Sequence, residues 1–302
     1  MRRKLRLLVE GNSYPTKAFR SMWLIWRRMD NRFKLTKTAR VTGGGERLFV
    51  EDWQSAVHSH DATVLSHIHR YLWVQQYLKN LVCLDAGCGA GYGTHHLAVN
   101  GVNKIIGVDK STEAMKYDQK KFRAANLEFR QMDVTKLDFV SGAFDAVISF
   151  DVLEHLNEVD QHRFMAETAR VLNPNGTAYF GCPNGKRIAL WWPNPFHLRE
   201  LLQEEFELLL KQYFRNVTVL GQDIMYKGVR QKESRETKVP NLSLSNFIVA
   251  YDDYLFGFLS ICKQPIQTAK CVGQDVLEAS SQSQKRENNR AKGFQQSLSR
   301  RF

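Results

Sequence analysis

The feature that most constrains the fold is a glycine-rich segment that follows a short apolar run. Leu81 to Leu84 form the run, and residues 85–93 then read DAGCGAGYG before a stretch with helical periodicity. A strand that ends in such a loop and continues into a helix is typical of the first unit of an α/β sheet. Glycines let the backbone approach a ligand closely. The segment therefore predicts a ligand-binding loop.

Further short apolar runs alternate with helical stretches through the middle of the chain. These runs cover residues 105–108, 127–129, 146–150 and 178–181, and two later ones cover 217–220 and 254–262. The alternation predicts an α/β fold with βαβ units and a mostly parallel sheet. We expect the last two runs to complete that sheet as an antiparallel hairpin. Apolar residues at steps of three and four from Leu198 to Tyr213 predict an amphipathic helix.

The spacing of the glycines bears on the kind of ligand. A dinucleotide fingerprint needs GxGxxG, but the three possible registers place Tyr92, Thr94 and His96 where the third glycine belongs. The loop reads GxGxG instead. Asp85, directly before the loop, would repel a pyrophosphate and suits a ligand that carries an ammonium and a sulfonium group. The loop therefore argues against NAD.

Two further acids follow the next two predicted strands. Asp109 ends the second strand, eighteen residues past Gly91, where a carboxylate can accept both hydroxyls of a ribose. Asp133 follows the third strand, where an adenine amino group could be read. The carboxyl ends of parallel strands share one edge of a sheet, so we expect these acids near the glycine loop.

These motifs carry a resemblance to a known family. The series LDAGCGAGYG, GVDKS, QMDV, FDAVISFDVLEHL and RVLNPNGTAYF resembles the class I S-adenosylmethionine-dependent methyltransferases over residues 80–183. The resemblance implies a Rossmann-like, mostly parallel seven-stranded sheet flanked by helices, with S-adenosylmethionine as cofactor. It also implies that the methionine moiety is bordered by Asp85, Gly87, Gly89 and Gly91, the ribose by Asp109, and the adenine by Asp133 with Val134.

Two flanking stretches refine the resemblance. SHIHRYLW at residues 66–73 and NPFHLREL at 194–201 resemble a bacterial subgroup linked to sugar and surface-polysaccharide modification. In the first stretch, Arg70 could fold over the cofactor and pair with its methionine carboxylate; the alternative is a solvated arginine on an amphipathic helix. Residues 184–197 are expected to form an acceptor-site insertion.

The catalytic candidates follow the fourth predicted strand. Asp151, Glu154 and His155 are spaced i, i+3, i+4, which on a helical turn places them on one face. One interpretation makes His155 the general base and counts Asp151 as a second catalytic residue. A second adds His197 and makes the four residues ligands of Mg²⁺ or Mn²⁺, because the pattern resembles the ExxEH-plus-His set of Mg-dependent RNA ribose methyltransferases, with Asp151 replacing the first Glu. A third leaves Glu154 and His155 as helix-capping or loop-orienting residues.

Charge divides the chain into a near-neutral middle and two basic ends. Of the net charge of +12, residues 1–40 contribute 12 Lys and Arg against 2 acids, and residues 266–302 contribute 7 against 3. We predict a basic aromatic extension over 1–45, a methyltransferase domain over 46–265 and a disordered basic tail over 266–302. The extension could lie on an anionic membrane, cap the acceptor site or bind RNA.

Composition narrows location and function. The apolar runs are too short for a membrane-spanning helix, and the five cysteines include no CxxC pair. We therefore expect a cytoplasmic protein with reduced thiols, peripheral to the inner face of the membrane if the extension binds lipid. The leading hypothesis is methyl transfer to a hydroxyl of a sugar, glycan or other small molecule. The alternatives are an RNA ribose methyltransferase, which lacks support from an RNA-binding signature, and a non-catalytic cofactor-binding module.

Overall fold

The computed structural model describes the central part of the chain. The described residues are 39–41, 48–50, 53–57, 62–185, 194, 196–222, 248–249 and 257–266. The predicted N-terminal extension up to residue 38, most of the predicted insertion and the predicted tail beyond residue 266 lie outside them.

Ten strands and six α-helices are present in the described residues. The strands are β1 (Ala39–Val41), β2 (Leu48–Val50), β3 (Val82–Ala86), β4 (Lys104–Asp109), β5 (Leu127–Gln131), β6 (Phe144–Phe150), β7 (Leu172–Pro183), β8 (Phe214–Gln222), β9 (Ile248–Val249) and β10 (Gly257–Pro265). The helices are α1 (Trp53–Val57), α2 (Ala62–Gln75), α3 (Tyr92–Val99), α4 (Thr112–Lys121), α5 (Glu158–Val171) and α6 (Gln203–Lys211), and a 3₁₀ turn covers Leu153–His155.

The main sheet is mostly parallel, as predicted. Its strand order is β5-β4-β3-β6-β7-β10-β8-β9, and the first five strands run parallel. The antiparallel hairpin is confirmed: β10 pairs with β8 from Gly257 opposite Gln222 to Pro265 opposite Phe214. β10 also pairs with β7, so the last strand lies between the two. Seven strands match the expected Rossmann-like architecture, and the two-residue β9 adds an eighth at the edge.

The predicted helix over 198–213 is shorter in the structure. α6 begins at Gln203 because the preceding chain is held elsewhere. The backbone N–H groups of Leu198 and Arg199 both donate to the carbonyl of Glu154, at 2.7 and 3.2 Å. This contact across 44 positions of chain cannot be read from periodicity, and it brings the segment before α6 against the 3₁₀ turn that follows β6.

Apolar side chains pack on both faces of the sheet. One face is covered by α5 and α6, with Phe164, Phe180 and Phe206 fully buried. The other is covered by α2 and α3, with Ile68 and Leu97 fully buried. The sheet is therefore the middle layer of three, and its ends remain available for a site. No helix in the described part of the chain is both long and apolar enough to cross a bilayer.

A short strand pair precedes the sheet. β1 and β2 pair in antiparallel fashion, and the side chains of β2 are buried. Phe49 packs edge-on against Tyr117 of α4 with ring centroids 5.0 Å apart, and Lys121 Nζ donates to the carbonyl of Val50 at 3.3 Å. The predicted boundary between residues 45 and 46 falls between these paired strands.

Candidate active site

The candidate site lies at the carboxyl ends of β3 and β6. These strands are neighbours in the sheet, and the crossover connections on their two sides run in opposite directions along it. Such a switch point opens a crevice outside the strand ends, where α/β proteins bind ligands. The glycine loop follows β3 and Asp151 follows β6, so the two main predicted motifs flank this crevice.

The glycine loop adopts a backbone that only glycine takes easily. Gly87, Gly89 and Gly91 have φ angles of 82, 58 and 62°, in the left-handed region. A Cβ at Gly87 would lie 2.3 Å from Val152 Cγ2, so this glycine permits close contact with the chain after β6. A Cβ at Gly89 would meet no atom within 4 Å. The loop therefore has open space above Gly89, which fits a bound ligand such as S-adenosylmethionine.

Asp109 and Asp133 lie on the same edge as the loop. Asp109 accepts from the N–H of Gly89 at 3.1 Å through Oδ2 and from the N–H of Ser111 at 2.8 Å through Oδ1. The exposed Asp133 accepts from the N–H and hydroxyl of Thr135; burial acts to raise the pKa of its carboxyl, but these bonds and the charge of Lys110 together lower it. Val134 points into the core and is 7% exposed.

Asp85 lies beneath the loop rather than on its open side. Its side chain is fully buried and accepts from the hydroxyls of Tyr71 at 3.1 Å and Thr94 at 2.6 Å. Burial raises the pKa of Asp85 to about 6, against the effect of these two bonds. The sequence placed Asp85 against the methionine moiety. The structure places this carboxylate under the loop, bonded to Tyr71 and Thr94, and its role toward a methionine moiety stays a prediction.

Arg70 is neither a solvated arginine nor directed at the open crevice. It is 1% exposed, its Nη1 donates to Asp151 Oδ2, and its Nε donates to Gln222 Oε1 at 2.7 Å. Gln222 in turn donates to the carbonyl of Ser66 at 3.0 Å. In the structure its guanidinium pairs with Asp151 of the same chain, and the pairing of Arg70 with a ligand carboxylate stays a prediction. A buried guanidinium needs an anion, and Asp151 of the same chain supplies it.

Asp151 departs from the predicted helical turn. Its φ angle is 54°, and the 3₁₀ turn begins two residues later, so Asp151 does not share a helical face with Glu154 and His155. Burial alone would raise the pKa of Asp151, but the charges of Arg70 and then His67 lower it. His67 Nε2 lies 3.4 Å from Asp151 Oδ2, and Asp151 Oδ1 has no hydrogen-bond partner among the described residues.

Three of the four predicted metal ligands come together. Glu154, His155 and His197 each offer a ligand atom, and these atoms lie within 4.8 Å of one another. Glu154 is 2% exposed, and burial followed by the charge of Asp151 raises its pKa to about 8. Its Oε2 has no hydrogen-bond partner in the described part of the chain. Asp151 does not belong to this group, because Arg70 holds its carboxylate.

The hydrogen bonds of the two histidines assign their tautomers. His155 Nδ1 lies 2.9 Å from the carbonyl of Phe196, so Nδ1 carries the proton. Asn194 donates to His197 Nε2 at 2.9 Å, since its own oxygen accepts from the N–H of Phe196. His197 Nδ1 then donates to Glu200 at 2.6 Å. In a neutral ring with these bonds Nε2 is the unprotonated nitrogen, and in His197 it already accepts a bond.

Sequence reasoning missed several residues that shape this site. His67 stands between Asp151 and the hydroxyl of Tyr92, which lies 3.1 Å from its Nδ1. Thr94 follows the glycine loop directly. Because its hydroxyl is close to Asp85 in the sequence, their hydrogen bond could have been predicted. No sequence signal pointed to Gln222, because 152 positions separate it from Arg70.

The fold and the crevice define an α/β domain with a GxGxG ligand loop at its switch point. Residues 84–180 match the sequence model of a family described as a methyltransferase domain. A protein solved in complex with the Haloferax volcanii Trm112 methyltransferase activator shares the fold, with a TM-score of 0.51 at 17% identity over 70% of this chain and 95% of that one. The class supported by these matches is the class I S-adenosylmethionine-dependent methyltransferases.

Two curated relatives carry more specific names. A Mycobacterium tuberculosis protein named as an S-adenosylmethionine-dependent methyltransferase is 32% identical over 157 residues, which cover 50% of this chain and 53% of that protein. A Brucella anthropi ubiquinone biosynthesis O-methyltransferase is 25% identical over 70% of this chain and 98% of its own length. The chain spans about half the length of the mycobacterial relative. These matches do not support the predicted sugar and polysaccharide subgroup.

Proposed function

We propose that this protein transfers a methyl group from S-adenosylmethionine to a hydroxyl of a small molecule or glycan. The observation that carries the proposal is the link between Asp109 Oδ2 and the N–H of Gly89, beside the open space above that glycine. It brings a carboxylate suited to ribose hydroxyls against a backbone that allows close approach. Such an arrangement at a switch point favours a nucleoside ligand.

The chain's own residues would hold and orient this ligand. Asp109 would accept hydrogen bonds from the ribose hydroxyls. Asp133, at the adjacent strand end, would accept one from the adenine amino group. When bound, S-adenosylmethionine supplies a methyl group activated by a sulfonium. The crevice walls would hold the acceptor beside the bound cofactor, and positioning of two reactants contributes several kcal/mol to the rate of a displacement, up to roughly 7–11 in ideal cases.

A hydroxyl acceptor also loses a proton, and His155 is the proposed base. Because Nδ1 donates to Phe196, Nε2 carries the lone pair that would take the proton. The names of distant relatives such as the Brucella ubiquinone O-methyltransferase support oxygen as the acceptor atom. A sugar or glycan hydroxyl remains our proposed acceptor, on the flanking motifs alone.

A divalent ion is a finer proposal for the same place. The buried, unpartnered Glu154 Oε2 and the close His155 and His197 fit a cation with mixed oxygen and nitrogen ligands, such as Mn²⁺ or Mg²⁺. When bound, such an ion would lower the pKa of an acceptor hydroxyl. Asn194 would have to give up its bond to His197 Nε2.

Methyl tracing tests the function as a whole. The protein is incubated with S-adenosylmethionine labelled in its methyl group and with cell extract separated into glycan, lipid, small-molecule, RNA and protein fractions. We expect label in the glycan or small-molecule fraction, released as a methyl ether. Label confined to RNA would replace the proposal with ribose methylation of RNA. Absence of label in every fraction, with cofactor binding intact, would favour the non-catalytic binding module.

A further inference from the structure

Helix α2 places a tyrosine hydroxyl against the carboxylate beneath the glycine loop. Tyr71 is 5% exposed, and its hydroxyl donates to Asp85 Oδ2 at 3.1 Å, with Oδ1 at 3.4 Å. Thr94 of α3 donates to the same Oδ2 at 2.6 Å. Asp85 therefore has one hydroxyl donor from the helix before β3 and one from the helix after it.

Packing leaves the Tyr71 ring little freedom to move. A Cβ at Gly93 would lie 2.1 Å from Tyr71 Cζ, so the ring lies directly on the backbone of the first turn of α3. The ring also meets Phe150 at the end of β6 edge-on, with centroids 5.3 Å apart. Because the ring is fixed on two sides, its hydroxyl is directed at Asp85. The absence of a side chain at Gly93 is what permits this contact.

The charge state of Asp85 depends on these two hydroxyls. Among the described residues, the groups that interact with it are Tyr71 from α2, Cys83 from β3, Cys88 from the loop, Thr94 and Tyr92 from α3 and Asp109 from β4, and none of these is a cation. Burial raises the pKa of Asp85 most, the bonds from Thr94 and Tyr71 lower it, and the charge of Asp109 raises it again. Loss of either donor should therefore favour the neutral acid.

We propose that Tyr71 is a positioning residue for the cofactor: it holds Asp85 beneath the glycine loop so that the carboxylate attracts the ammonium group of a ligand bound above. The inference rests on the proposed function, because S-adenosylmethionine and its demethylated product both carry that ammonium group. Tyr71 acts through Asp85 and the loop, since its ring is buried below them. Its effect should therefore depend on the ionisation of Asp85.

The test uses S-adenosylhomocysteine as a stable probe and calorimetric titration of the full chain between pH 5 and 8.5. Wild-type affinity should be constant above about pH 7 and should fall as Asp85 takes up a proton on acidification. Tyr71→Phe removes one donor, so the affinity at pH 6 should fall about 2-fold relative to the wild type, with a smaller loss at pH 7 where Asp85 stays mostly ionised. The part of the pH profile in which affinity falls on acidification, the acid limb, should also move to higher pH by about half a unit.

Tyr92→Phe is the matched control. It removes the same atom from a buried tyrosine whose ring lies 5.9 Å from that of Tyr71, but its hydroxyl contacts His67 rather than Asp85. We expect this variant to keep the wild-type position of the acid limb. Thr94→Val should reproduce the shift of Tyr71→Phe, and Asp85→Asn should abolish the acid limb.

The outcomes separate the inference from the proposed function. A wild-type protein that does not bind S-adenosylhomocysteine contradicts the proposed function itself. If the wild type binds and Tyr71→Phe keeps both its affinity and its acid limb, the positioning role of Tyr71 is wrong. If Tyr71→Phe unfolds, Thr94→Val decides the question, because it removes the other donor from the same oxygen, and an unshifted limb there overturns the inference.

Discussion

Arg70 and Asp151 form a buried ion pair that joins α2 to the chain after β6. Arg70 is 1% exposed, while the side chain of Asp151 is 16% exposed and its backbone has a φ angle of 54°. A left-handed aspartate costs free energy that the surrounding contacts must offset. The ion pair, with Gln222 on the other side of the guanidinium, supplies such contacts. It therefore fixes the β6 side of the crevice.

Breaking this pair on one side should destabilise the fold strongly. Arg70→Met leaves Asp151 without its cation, and removing one partner of a buried pair costs about 3–5 kcal/mol. Arg70→Met combined with Asp151→Asn should recover part of that loss, since no buried charge remains. Urea unfolding of the three proteins measures both effects.

The matched control is the exposed pair of Arg163 with Asp160, whose N–O distance is 3.0 Å. Arg163→Met should cost less than about 1 kcal/mol, because both side chains are solvated. Equal losses for Arg70→Met and Arg163→Met would show that the buried pair contributes no more than a surface one.

Asp109 should dominate ribose recognition. Asp109→Ala removes a charged acceptor and should weaken S-adenosylhomocysteine binding by about 1.5–3 kcal/mol in calorimetry. Glu113→Ala, an exposed acid in the first turn of α4, changes the net charge equally and should leave affinity unchanged. NAD should not compete, because the loop lacks the third glycine of a dinucleotide site. Unchanged affinity in Asp109→Ala would contradict the ribose assignment.

A metal at the three-residue cluster predicts ion binding that can be measured without activity. Calorimetry with Mn²⁺ should show one site in the wild type and none in Glu154→Gln. Glu158→Gln, an exposed residue with a 57% exposed side chain, is the control and should bind as the wild type does. If the wild type binds no Mn²⁺, His155 remains as the base, and His155→Ala should lower turnover by about 10² with cofactor affinity unchanged.

The basic N-terminus should direct the protein to anionic surfaces without affecting cofactor binding. Residues 1–40 carry 12 Lys and Arg, and each basic residue near an anionic membrane contributes about 1 kcal/mol, weakened by salt. Deleting residues 1–36 should abolish salt-sensitive sedimentation with phosphatidylserine vesicles. S-adenosylhomocysteine affinity should stay the same. A truncated protein that loses this affinity would instead place the segment at the active site.

Much of the cofactor side was predictable because its motifs are local. The strand, glycine loop and helix from β3 to α3 follow one another in the chain, and Asp109 and Asp133 follow the ends of their own strands. Short-range periodicity and glycine spacing report such arrangements directly. The β6 side of the crevice was predicted less well: the helical turn through Asp151 and the early start of the helix before Tyr213 were both wrong. There the backbone follows contacts made with distant parts of the chain.

The sequence by itself determined the sheet, the glycine loop and the strand-end acids, since each depends on neighbours within a few residues. Only the tertiary structure decided the partners of the buried charges. Arg70 could have faced solvent, a ligand or Asp151, and the choice depends on Gln222 and the strand ends that surround it. A charge taken out of water is stabilised by whatever lies within a few ångströms. Packing decides which groups lie that close, and no local sequence pattern records how distant parts of the chain pack.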